Sequence, residues 1–141
     1  MQFSTILHIT FFLAASTLAK HMAFHEGVSA EVKANVSAQI DKWLGDIQSV
    51  NNFIDTVGNV TNLTLISSMA ATAFVAAQNE GASNNILQQD VKLDACGQAA
   101  AQALVGQFNI IGPAINDTIS NPGNLQNNLN AINGARYGHL I

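Results

Sequence analysis

The stretch from Val28 to Val57 limits the possible folds more than any other part of the chain. Val36, Ile40, Trp43, Ile47, Val50, Ile54 and Val57 recur at alternating steps of four and three. That spacing averages about 3.5 residues and keeps one apolar stripe turned toward a partner helix. Leu44 and Phe53 flank the stripe and widen it, as in a bundle helix buried by more than one neighbour. Glu31, Lys33, Asp41, Lys42, Asp46 and Asp55 fall largely off it, toward water. At a rise of about 1.5 Å per residue the segment would span roughly 45 Å. A helix this long and one-sided cannot bury its stripe alone, so the later segments must supply the other walls. The expected fold is all-α, a small bundle of about four to five helices with a long first helix and no β-sheet.

The later segments carry the matching patterns. Ser29 is placed to cap the first helix, with Glu31 in its first turn, and Gly58 to end it. Leu63, Ile66, Met69, Ala70, Ala73, Phe74 and Ala77 form one face of a second helix, expected to stop at Asn79-Glu80-Gly81. Ser83 then reads as the cap of a third helix containing Ile86, Leu87 and Val91, and Asp94 as the cap of a fresh start. Ala100, Leu104, Phe108, Ile111, Ile115 and Ile119 continue the stripe across Gly112-Pro113, where a kink is expected. Asn121-Pro122 has the form of a helix start, Asn as cap and Pro at the first position, before Leu125, Leu129 and Ile132.

Residues 1–19 read as a secretory signal peptide. Ile6 to Ala15 is an apolar run of h-region length, and Thr17-Leu18-Ala19 supplies small residues for cleavage after Ala19. The run is shorter than the roughly 20 apolar residues of a membrane span. Residues 20–27 are expected to be a flexible arm and 28–141 the bundle domain. The expected destination is therefore outside the cell, in the medium or at the cell wall. Asn35, Asn59, Asn62 and Asn116 each begin an Asn-x-Ser/Thr acceptor pattern, so the exported chain is expected to carry glycans.

Charge narrows the function. The formal net charge is −4, and Lys33, Lys42, Lys92 and Arg136 are scattered without a basic stripe. That excludes the clustered cations that nucleic-acid binding needs. Cys96 is the single cysteine, so no disulfide can form within one chain. It is expected to be a small buried residue of an Ala-rich helix, or else to pair between chains. The carboxylates Asp41, Asp46, Asp55, Glu80, Asp90, Asp94 and Asp117 are spread over several elements, with no spacing that forces an acid–base pair. No hydrolase elbow, P-loop or zinc motif occurs. No enzymatic activity and no cofactor are expected. His21 and His25, four apart beside Glu26, form a weak metal pair that His139 could join if the termini meet.

Gln39-Ile40-Asp41 through Asp46-Ile47 to Phe53-Ile54-Asp55, the Ala-rich second helix, and Asn121-Pro122 with Asn128-Leu129-Asn130-Ala131-Ile132-Asn133 together carry a resemblance. The chain resembles the small secreted helical proteins of fungi, in the broad neighbourhood of hydrophobic-surface-binding proteins and cell-wall galactomannoproteins. The resemblance implies an exported helical bundle that adsorbs to apolar surfaces or holds fatty-acid-like ligands between helices. On the chain's own residues, Trp43, Ile47, Phe53, Met69, Phe74, Phe108 and Ile111 are either ordinary core or the lining of such an apolar cavity. The first expectation is a secreted, non-enzymatic protein that binds lipids, fatty acids or hydrophobic surfaces. The alternatives are an effector or wall interaction protein acting through its polar glycosylated surface, and a metal binder using its N-terminal histidines.

Overall fold

The computed structural model describes residues 22–23 and 29–137. The fold is all-α, with the α-helices arranged as α1 (Ala30–Val57), α2 (Leu63–Asp90), α3 (Ala95–Ser120) and α4 (Leu125–Tyr137). Each helix packs on the next in sequence, and short connections join them. Gln39 on α1 meets Ser83 on α2 while Asp46 meets Asn79, so this pair runs antiparallel.

Local chemistry sets the helix starts. Ser29 Oγ accepts from Val32 N at 3.2 Å, and Glu31 lies in the first turn near the positive end of the dipole. Asn62 Oδ1 accepts from Leu65 N at 3.1 Å and starts α2. Asp94 Oδ1 accepts from Gly97 N at 2.8 Å and starts α3. Gly97 fits closely at this start. A Cβ there would sit 3.3 Å from the Leu93 side chain and 3.4 Å from Asp94 Oδ1, so a larger residue would require Leu93 to shift by a few tenths of an ångström. Gly58 has an ordinary right-handed φ of −62° and ends α1 without any special backbone requirement.

On the α1 stripe Val36, Trp43, Ile47, Val50, Ile54 and Val57 are buried, and Ile40 packs half-buried against them. Leu87 from α2, Leu104, Ile111 and Ile115 from α3, and Leu129 and Ile132 from α4 complete the core. Ala70, Ala73, Ala76, Ala77 and Ala101 are buried among them. These small side chains let the helix backbones approach one another. Ala99 and Ala103 face solvent.

Several expectations are corrected. α2 does not stop at Asn79-Glu80-Gly81 but runs unbroken for 28 residues to Asp90. One interior glycine costs a helix only about 1 kcal/mol, and burial of Ala73, Ala76 and Ala77 before it and Leu87 after it outweighs that. Ser83 is therefore a buried interior residue that accepts from Gln39 Nε2 at 2.7 Å, not a cap. At Pro113 the chain does continue as one helix, as the stripe that crosses it predicts, with Ala114 and Ile115 buried just beyond it. Asn121 makes no side-chain cap; Pro122–Asn124 form a 3-10 turn, and Asn121 instead donates to Asp117 Oδ1 at 2.8 Å. Within residues 20–27, Met22–Ala23 pair antiparallel with Leu93 and Lys92 in strands of two residues, β1 and β2, and the rest of that arm lies outside the described residues. This short ladder is the one extended pairing among the described residues and adds no layer to the helical fold.

A Cβ added at Gly81 would meet nothing within 4 Å. Gly81→Ala is therefore expected to raise stability by about 0.5–1 kcal/mol, because it lowers the backbone entropy lost on folding. Urea denaturation followed by circular dichroism would measure it; a lower midpoint would show that α2 needs the flexibility.

Candidate functional site

Two concave regions stand out. The first lies between α1 and α2. It is an open groove of about 220 Å³ lined by Ser49, Asn52, Phe53 and Thr56 from α1 and Met69, Thr72 and Ala73 from α2. Phe53 and Ala73 are buried and Met69 is half-buried, so they form an apolar floor. The hydroxyls on the rim are turned back onto their own helices. Ser49 Oγ donates to Gly45 O at 3.0 Å, Thr56 Oγ1 to Asn52 O at 2.6 Å and Thr72 Oγ1 to Ser68 O at 3.3 Å. The rim therefore offers oxygen lone pairs, and the groove carries no charged side chain.

The second is a cleft of about 490 Å³ at the α2–α3 connection, lined by Gln88, Gln89, Val91, Lys92, Leu93, Gln98 and Gln102. Two of its amides are already engaged: Gln88 Nε2 donates to Asn84 O at 3.3 Å and Gln98 Nε2 to Leu93 O at 3.2 Å. Its polar lining does not suit an acyl chain.

Of the seven apolar candidates, the structure brings Phe53 and Met69 together at one groove. Trp43, Ile47 and Ile111 are buried in the core. Phe74 and Phe108 are half-buried against it and do not line the groove. The sequons Asn35, Asn59, Asn62 and Asn116 are all exposed. Asn62 caps α2 through its carbonyl oxygen, which leaves its amide nitrogen, the atom a glycan takes, turned away from that bond. Cys96 is exposed on the first turn of α3, contrary to the buried position expected of it. Its side chain points off the stripe because Gly97 and Ala101 occupy the inward positions. His21, His25, Glu26 and His139 lie outside the described residues. Among the described residues no group of three or more His, Cys, Asp or Glu gathers that would hold a metal ion. No described helix is long and apolar enough to cross a membrane.

Two polar centres were not among the expectations drawn from the sequence. The first joins α3 to α4. Asp117 accepts from the side-chain amides of Asn121, Asn124 and Asn128 at 2.8, 2.9 and 2.8 Å, and Asn128 also donates to Thr118 Oγ1 at 3.0 Å. Hydrogen bonds from Asn124, then Asn121 and Asn128, pull the Asp117 carboxyl down to about 2. That support for the corner is present above the ordinary carboxyl value of 3.8 and is lost as pH falls toward 2.

The second centre is Glu80, buried in the interior of α2 with Arg136 of α4 and Asp46 of α1 around it. Burial raises its carboxyl to about 8; Arg136 opposes the rise and Asp46 adds to it. Asn84 Nδ2 donates to Ala101 O at 3.4 Å, whereas Asn84 Oδ1 and Trp43 Nε1 are buried without a partner among the described residues. A signal for Glu80 was present: positions 73, 76, 80, 83 and 87 keep steps of three and four if the helix is read through Gly81.

No family model, curated protein or solved structure matches the chain in comparisons of all three kinds.

Proposed function

We propose that this protein is a secreted, non-enzymatic helical bundle that binds apolar molecules or surfaces at its outside rather than in an internal cavity. The observation that carries the reading is the α1–α2 groove, with Phe53, Met69 and Ala73 as its floor and no charge in its lining. Its volume of about 220 Å³ is below the 300 Å³ or more of typical enclosed ligand sites. It suits a short alkyl or aromatic segment, or one contact of a larger apolar surface. The signal-like leader supports export. The resemblance to hydrophobic-surface-binding and cell-wall proteins of fungi agrees with an extracellular role, in the medium or at the wall.

A titration with a fluorescent fatty acid and native mass spectrometry of protein from culture medium test this directly. Binding is expected in both, and Thr72→Trp, which fills the groove from its exposed rim, is expected to abolish it while leaving the helical signal intact. An absence of bound lipid together with an absence of probe binding would discard the reading.

A second reading is supported by the exposure of all four sequon asparagines. Glycans there would make the polar surface the active one, as in an effector or a wall interaction protein. Recovery of one specific protein or polysaccharide by the glycosylated form, but not by the deglycosylated form, would favour it.

A further inference from the structure

The four Asn-x-Ser/Thr patterns all expose their asparagine, but the fold presents them differently. A transferase that reads both the asparagine and the hydroxyl two positions on must reach the two side chains from one side. Along an α-helix, residues two apart point about 200° from each other, toward nearly opposite faces. In extended backbone they share a face.

Three of the patterns are tied up in helices. Residues 35–37 lie inside α1, with Val36 buried between the two polar positions. Residues 116–118 lie inside α3, and Thr118 is fully buried. Its Oγ1 donates to Ala114 O at 3.0 Å and accepts from Asn128 Nδ2 at 3.0 Å. Residues 62–64 run from the cap of α2 into its first turn, and Asn62 Oδ1 is held by Leu65 N.

Of the four, only residues 59–61 lie wholly outside the helices, in the connection from α1 to α2. Backbone bonds from Asn59 N to Thr56 O at 3.2 Å and from Val60 N to Val57 O at 3.0 Å fix this turn. Val60 packs half-buried against the core, while Asn59 and Thr61 on either side of it are exposed. The middle residue anchors the turn, and its two neighbours, the pair a transferase must grip, are left in water.

We propose that Asn59 is the attachment site of an N-linked glycan, and the one of the four patterns that the folded protein still presents to a transferase. The inference deepens the second reading above and shares its premise of export. The sugar donor is an oligosaccharide joined through its anomeric carbon to a lipid diphosphate. The Asn59 amide nitrogen forms a bond to that carbon as the bond from the carbon to the diphosphate oxygen breaks. The lipid diphosphate leaves with the bonding electrons, and the nitrogen gives up one proton. Nothing in the step is oxidised or reduced. The product adds a bulky, hydrated group at the surface of the turn without entering the core.

The folded chain, made without sugar in a bacterial host, is incubated with a purified oligosaccharyltransferase and a lipid-linked oligosaccharide, and glycopeptides are read by mass spectrometry. Sugar is expected on Asn59 and not on Asn35 or Asn116. In a digest of the same chain, where no helix holds them, Asn35 or Asn116 is expected to accept as well. Thr61→Ala is expected to abolish transfer to Asn59 while leaving the circular dichroism spectrum unchanged. The proposal is overturned if Asn59 of the folded chain stays unmodified while the digest accepts sugar. It is also overturned if Asn35 or Asn116 of the folded chain accepts as readily as Asn59, or if Thr61→Ala still takes sugar there. Protein collected from the medium of a eukaryotic host is expected to carry a glycan on Asn59, and exported chain bare at that residue would equally overturn it. Absence of the chain from the medium would count against export alone, because transfer to the folded chain does not depend on it.

Discussion

Replacing Trp43 with alanine is expected to cost about 3–5 kcal/mol, a large part of the roughly 5–15 kcal/mol that holds a domain of this kind folded. The indole is 2 % exposed and sits midway along the α1 stripe, between Val36 and Ile47 on one side of the core. Its removal takes away the largest apolar contact in the bundle and leaves a void that the closely packed alanines of α2 cannot fill by shifting. Trp43→Phe separates two effects. It keeps most of the ring but removes the indole N–H, which is buried without an acceptor among the described residues. An unmade buried hydrogen bond costs about 1–3 kcal/mol, so part of the lost packing should be regained. Urea denaturation followed by circular dichroism at 222 nm would show alanine far below phenylalanine in midpoint. Similar midpoints for both variants and the parent would place the ring outside the core.

The second large effect is a dependence of global stability on pH. Glu80 binds its proton more tightly when folded, with its carboxyl raised from 4.5 to about 8 mainly by burial. The group's contribution is therefore full below about pH 4.5, where both folded and unfolded chains hold the proton. It is lost progressively as pH rises, and the loss is complete once the folded form has also ionised near 8. At about 1.4 kcal/mol per unit the whole span amounts to on the order of 3–5 kcal/mol. Glu80→Gln keeps the shape without the titrating proton. It is expected to be more stable than the parent by about that amount at pH 9 and to differ little at pH 4. Denaturation midpoints from pH 4 to 9 give both curves; parallel curves would mean that another group carries the dependence. Asp117 acts in the opposite direction and only in acid, so the two centres do not overlap in pH.

The helical class and the places where three helices begin follow from short-range chemistry. The stripe from Val36 to Val57 is buried as its period requires, because a run of seven aliphatic and indole positions on one face has no other stable place in water. Ser29 and Asp94 cap as side-chain oxygens at helix starts do, through an amide three residues along the same chain. Such interactions need no knowledge of distant residues.

The tertiary structure decided the rest. Glycine at 81 argues locally for a stop, and only the alanines and Leu87 packed against other helices keep α2 intact. Reading a break there hid the stripe on which Glu80 lies and, with it, the layer it shares with Arg136, 56 positions away in sequence. Cys96 faces water because Gly97 and Ala101 take the inward positions of that helix. The groove between Phe53 and Met69 likewise exists only because α1 and α2 lie antiparallel in one register. Period and capping depend on residues within one or two turns, so the sequence by itself determined the helices. The surroundings of a single acid, thiol or aromatic ring depend on which distant side chains arrive beside it, and only the packed bundle determined those.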